Sequence, residues 1–181
     1  MANEVLIKHG TAIVWADIGG DFGDSPIAGT VQITLASLAT TAARQGVKVD
    51  LGATRAAVYA VTLRVEYDVA PGVNEVCSLW WAASPSGVAG TANPGGVGGT
   101  DAAYTGTAGD SISDSIKQCH NVMTMPLTTD ADTIIQQMTQ AYAPLERYGS
   151  PIVWNEAGQA FEGDDVEMSI IFQPIIDEIQ D

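Results

Sequence analysis

The stretch Ala57-Val-Tyr-Ala-Val-Thr-Leu-Arg-Val-Glu-Tyr-Asp-Val69 decides the fold class. Tyr59, Val61, Leu63, Val65, Tyr67 and Val69 fall at every second position. Val58, Ala60, Thr62, Arg64, Glu66 and Asp68 fall between them. Successive side chains of a strand point to opposite faces. The first set therefore makes an apolar face, and the second a face that turns charged toward its end. Such a strand lays one face on a core and leaves the other partly wet. Pro71-Gly72 ends it. The next run, Val76 to Ala82, sets Cys77, Leu79 and Trp81 against Val76, Ser78 and Trp80. The adjacent tryptophans must face opposite ways. One belongs to the core; the other meets a second layer, the glycine-rich segment that follows, or a neighbouring molecule.

Period-2 patterning continues in both directions. Toward the N-terminus, Val5-Leu6-Ile7 and Thr11-Ala-Ile-Val-Trp15 are short apolar runs bounded by glycine, suited to edge or extended strands. Thr30 to Leu35 and Val47 to Gly52 alternate as well, and residues 36–44 read as a loop or irregular turn. Toward the C-terminus, Lys117–Met125, Thr133–Ala143, Pro151–Trp154 and Val166–Phe172 are rich in β-branched or apolar residues. The last run closes on Pro174 and leaves Ile175 to Ile179 as an amphipathic tail. No segment keeps a 3.6-residue period over a helix's length. Roughly eight to ten strands separated by turns predict an all-β antiparallel β-sandwich. A jelly roll fits better than an immunoglobulin-type sandwich, because the Cys…Trp…Cys spacing is absent and the loops are longer. The expected organisation is one domain, 1–181, with an N-terminal arm (about 1–16) and a C-terminal tail (about 174–181).

A chain of 181 residues is long enough to bury a core without disulfides. Its formal net charge is −15, from 22 acids against 7 bases. That argues against nucleic-acid binding, which relies on Lys and Arg at the phosphates. The charge is uneven: residues 121–181 hold eleven acids and only Arg147. The C-terminal third therefore presents a negative surface, for solubility or for docking on a basic partner. The N-terminus lacks the basic and apolar regions of a signal peptide. No apolar run approaches the ~18–20 residues of a membrane span. Cys77 and Cys119 lie in strand-like segments and read as buried free thiols.

Between Ser84 and Asp110 lie eight glycines and two prolines, with no Lys or Arg. Ordering so much glycine costs backbone entropy, and loops of this length are usually functional or disordered. Low charge and the apolar Val88, Val97, Tyr104 and Ile112 argue that this one packs against something.

Known chemical signatures are missing. Gly95-Gly-Val-Gly-Gly99 lacks the lysine and following helix of a phosphate loop. No nucleophile elbow or H-E-x-x-H occurs. Only His9 and His120 could serve a triad, and Cys119 and His120, adjacent in a strand, cannot chelate one metal together. Asp17, Asp21 and Asp24, or Glu162, Asp164 and Asp165, offer oxygens without the spacing of a calcium loop. No catalytic residue, cofactor or metal ligand is assigned. The aromatic residues are the stronger signal, since Trp and Tyr combine area with a polar handle at interfaces.

With these residues in place, the chain resembles structural proteins of tailed bacteriophages. The resemblance is carried by Trp80-Trp-Ala-Ala-Ser-Pro85 and by Gly90-Thr-Ala-Asn-Pro-Gly-Gly-Val-Gly-Gly-Thr-Asp-Ala-Ala-Tyr104. Arg147-Tyr148-Gly149, Val153-Trp154-Asn155, Gly158-Gln159-Ala160 and the closing Pro174-Ile-Ile-Asp-Glu178 complete it. These motifs span about the C-terminal two-thirds of the chain. The resemblance implies a virion component, and among virion roles a head decoration, or cement, protein. Such proteins are β-sandwich modules that bind the outside of an expanded capsid, commonly as trimers, and staple neighbouring major-capsid subunits. The implied partners are the major capsid protein and the chain itself as a homotrimer, with no nucleic acid and no membrane. The implied location is the capsid exterior, after synthesis in the host cytoplasm. The N-terminal segment, the glycine-rich loop and the C-terminal tail are the expected contact elements. Val5, Ile7, Trp80, Trp81, Asn93, Pro94, Gly95, Gly96, Asp101, Tyr104 and Tyr148 are the expected contact residues. The alternatives are a tail, neck or fibre component, and a carbohydrate-binding β-sandwich on the virion surface.

Overall fold

The computed structural model describes residues 4–18, 29–130, 134–164 and 166–180. Two six-stranded sheets lie face to face. The first contains β1 (Glu4–His9), β2 (Ile13–Ala16), β3 (Val31–Gln32), β6 (Val58–Val65), β10 (Gln136–Tyr142) and β12 (Ser169–Gln180). Its order is β10-β6-β12-β2-β3, with β1 pairing β12 beyond β2. The second contains β4 (Ala43–Gln45), β5 (Val49–Asp50), β7 (Val76–Ser84), β8 (Ala102–Tyr104), β9 (His120–Pro126) and β11 (Tyr148–Asn155). Its order is β8-β4-β11-β7-β9, with β5 pairing β11. All pairs are antiparallel except β2 with β3. The all-β sandwich expected from the alternation is therefore observed. Its strand number and its parallel pair exceed the eight antiparallel strands of a simple jelly roll.

The core lies between the sheets. Tyr59, Val61, Leu63, Val65 and Tyr67 are all buried, as the alternation of β6 requires. Val69, read as part of the same face, lies beyond the strand and is exposed. From the facing sheet come Cys77, Leu79 and Trp81. Trp15, Trp81 and Phe172 form the aromatic centre, with ring centroids 4.8–5.7 Å apart. Trp15 donates its indole N–H to the Val47 carbonyl at 2.9 Å. Asn155 satisfies the backbone under the β11–β12 connection. Its amide donates to the carbonyls of Leu38, Ala39 and Gln159, and its oxygen accepts from Ala157 N–H and Tyr67 O–H.

Several sequence expectations change. The C-terminal run does not stop at Pro174, because β12 continues to Gln180. Gly10 N–H donates to the Pro174 carbonyl, so the side of Pro174 that lacks an N–H faces the break between β1 and β2. That is a place where a strand tolerates proline. The arm and the tail are thus one antiparallel ribbon, running from Glu4↔Gln180 to His9↔Ile175. β2, read as an edge or extended strand, lies inside the sheet, with Trp15 fully buried. The segment read as a strand from Lys117 begins instead in a 3-10 turn over Ile116–Gln118, which follows a short helix, α1 (Ile112–Ser115), and the strand starts at His120. Ser111 caps α1, accepting from Asp114 N–H. Cys119 follows that turn, outside any strand.

Candidate functional site

The glycine-rich segment folds back on its own domain. It covers the outer face of the second sheet and creates a smaller core there, built from Ala43, Ala82, Val97, Tyr104, Ile116, Cys119 and Ile152. Trp80 and Trp154 pack against this cluster. β7 and β11 are accordingly buried on both faces. The two tryptophans do face opposite ways: Trp81 enters the main core and Trp80 lies under the glycine-rich layer.

Lys48 closes this layer. Its ammonium donates to Ser84 Oγ and to the carbonyls of Ser86, Val88 and Thr91, at 2.8–3.1 Å. Partial burial draws its pKa below the usual lysine value. Asn93 donates to the carbonyls of Ala89 and Val97. Gly98 N–H donates to Gln45, and Tyr104 O–H donates to the Gly95 carbonyl at 2.6 Å. At Gly95, with φ of 62°, a side-chain carbon would stand 2.6 Å from the Ser115 carbonyl oxygen. At Gly99, with φ of 70°, it would stand 2.2 Å from the Ala89 carbonyl oxygen. These glycines let the chain approach itself closely.

Trp81 is 0% exposed and Tyr104 2%, and Gly95 is also buried, so this fold withdraws all three from any outer contact surface. Asp101 is half-buried and spent on its own chain. It accepts from Arg44 Nε at 2.7 Å and from Thr34 N–H and O–H. Burial alone pushes its carboxyl up, but these partners together hold it below the usual carboxylate range. Asn93 and Pro94 are half-buried; Gly96 is exposed, but its open side faces Gly106. Tyr148 is half-exposed, between the Arg147 guanidinium, 5.1 Å from its ring centroid, and Gly87. Ile7 is 70% exposed on β1, and Val5 is described only by its backbone pairing with Ile179.

The three nominated elements do meet at one end of the sandwich. Ile175 pairs with both His9 and Val58, which places the ribbon at the start of β6. Tyr142↔Tyr59 and Tyr148↔Ser84 bring the 143–147 connection and the start of the glycine-rich segment to the same end. Ile7, Val88, Leu145 and Ile176 are large apolar side chains exposed there. Arg147, the one base of the acidic third, is held by Asp50 through two bonds of 2.6–2.7 Å. This end is the candidate contact surface, and chemically it offers apolar area.

At the opposite end, Glu66 and Glu167 stand across from each other where the Arg64↔Ser169 register continues, and their carboxyls share a hydrogen bond. Burial, that bond and the charges of Glu167, Glu162 and Asp164 push Glu66 up to about 7. Among the described residues, no group of His, Cys, Asp and Glu is arranged to hold a metal. Asp21, Asp24 and Asp165 lie outside the described residues. Neither Lys48 nor Asn155 is among the expected contact residues, because their partners lie far away in sequence. The one available signal was negative: a long run of carbonyls with no base of its own, in a chain with three lysines. No protein-family model matches the chain, and no curated protein matches it.

Proposed function

We propose that the chain is a structural component of a tailed-bacteriophage virion, and within that class a head decoration protein. It binds the outside of the major-capsid lattice non-covalently, assembling there as trimers, and stabilises the head. One observation carries this reading beyond the resemblance. The ribbon formed by both ends of the chain, the 143–147 connection and the glycine-rich segment present exposed Ile7, Ile176, Leu145 and Val88 at a single end. A decoration protein needs contact area, not an active site, and repetition over a lattice multiplies modest contacts. The acidic third faces basic capsid patches or water. A sugar-binding surface would need open aromatic rings, whereas Trp81 and Tyr104 are interior.

The test is the position of the protein in purified virions, by density and by labelling. A lattice over the head exterior supports the reading, and a single ring at the tail or neck refutes it. Purified protein co-sediments with expanded heads that lack it, and Ile7→Asp with Ile176→Asp abolishes this while leaving the fold intact.

A further inference from the structure

Among the described residues β10 is an open edge, paired with β6 on one side only. A free edge offers unpaired N–H and C=O groups, so proteins blunt their edges with charge, proline, bulges or brevity. The other edges of the main sheet paths are blunted. β3 has two residues and β8 three. β9 carries a bulge where its register shifts between Leu79 and Trp80 of β7, and it ends on Pro126. β10 has none of these devices. It is seven residues long, Gln-Gln-Met-Thr-Gln-Ala-Tyr, with no proline and no charge. In a chain of net charge −15, no charged residue occurs from Thr133 through Leu145. Gln137, Thr139, Gln140 and Ala141 are exposed.

We propose that β10 is a self-pairing edge. Two copies join β10 to β10 antiparallel, about a two-fold axis normal to the sheet, and the sheet runs on from one subunit into the next. Three observations select a second copy as the occupant. Two chains of charge −15 can approach closely only where neither carries charge, and this strip is such a place. A basic partner would be drawn to the acidic surfaces instead. The exposed Gln137 and Gln140 carry amides that both donate and accept, so the strip is complementary to itself as isologous contacts require. Finally, Ile134 and Leu145, exposed by 46% and 66%, flank the strand at its two ends. Antiparallel pairing brings the Ile134 end of one copy against the Leu145 end of the other and covers both.

This inference does not rest on the virion reading, because it concerns purified protein without capsid. Sedimentation equilibrium over the micromolar range gives a mass that rises with concentration toward two chains. Gln140→Lys sets like charges near the axis and weakens association on the order of tenfold, with thermal unfolding unchanged. Asn121→Lys, on the bulged β9 edge, leaves association as it was. The pair of variants is discriminating. Each reduces the net negative charge, so general electrostatics predicts tighter association for both. A monomer at every concentration, a trimer indifferent to Gln140→Lys, or equal effects of the two variants each overturns the proposal.

Discussion

Replacing Gly149 with alanine tests whether Trp81 is a core residue or a contact residue. Gly149 lies in β11, opposite Ala83 of β7 and Val49 of β5. A side-chain carbon there would stand 2.3 Å from Cε2 and Cζ2 of Trp81. Real carbons do not approach so closely, so something must move. The indole cannot swing away freely. Phe172 lies 4.8 Å from it and Trp15 meets it edge-on at 5.7 Å, all three fully buried. The backbone of β11 is held by ladders on both sides. Overpacking of this kind costs ~1–3 kcal/mol, and the absence of an easy relaxation places Gly149→Ala at ~3 kcal/mol. For a domain of this size that lowers the thermal midpoint by ~6–12 °C. The assay is thermal and urea unfolding of the isolated protein, followed by tryptophan fluorescence. Gly90→Ala, with nothing within 4 Å of the new carbon, is the neutral control. Trp81→Phe removes the atoms that the alanine strikes. In the Gly149→Ala background it therefore costs less than in wild type, with a coupling of ~1–3 kcal/mol. A Gly149→Ala protein within ~0.5 kcal/mol of wild type, or strictly additive variants, would refute the packing argument.

Two further outcomes follow from the hydrogen bonds and the carboxyl pair. Lys48→Met removes the ammonium shared by Ser84, Ser86, Val88 and Thr91. Amide exchange should accelerate across residues 86–93 while the amides of β6 stay protected; uniform protection in the variant would show that Lys48 does not close the layer. Glu66 has a folded-state pKa raised to about 7, so the folded protein holds more protons than the unfolded chain between the ordinary carboxyl value and neutrality. The stability this provides is complete below the unfolded value and is lost as pH rises through about 7. Asp50, Asp101 and Asp114 have depressed values and act only at lower pH. The urea midpoint of wild type should thus rise from pH 8 to pH 5.5, and Glu167→Gln should flatten the curve. A midpoint that falls steadily over that interval contradicts the shared proton.

What the sequence determined by itself is local alternation and the facts that follow from it. Period-2 patterning belongs to the chain before any contact forms, so Tyr59 through Tyr67 could be assigned to a core face and Trp80 and Trp81 to opposite faces. Strand boundaries depend on partners, which is why the run expected from Lys117 starts in a 3-10 turn and the run expected to close at Pro174 continues. Only the tertiary structure decided what the glycine-rich segment covers. Its anchor, Lys48, lies 36 residues before Ser84, and Tyr104 reaches back to Gly95 only once the second sheet exists beneath them. Asn155 meets Leu38 across 117 residues, a contact no local pattern encodes. The same distinction applies to function. Composition could nominate Trp81, Tyr104 and the glycines as contact residues, because aromatic area and open backbone look alike in a sequence whether they serve a core or an interface. Burial assigns Trp81, Tyr104 and Gly95 to the interior, and leaves the ribbon, the 143–147 connection and the uncharged edge of β10 as the surfaces proposed for contact.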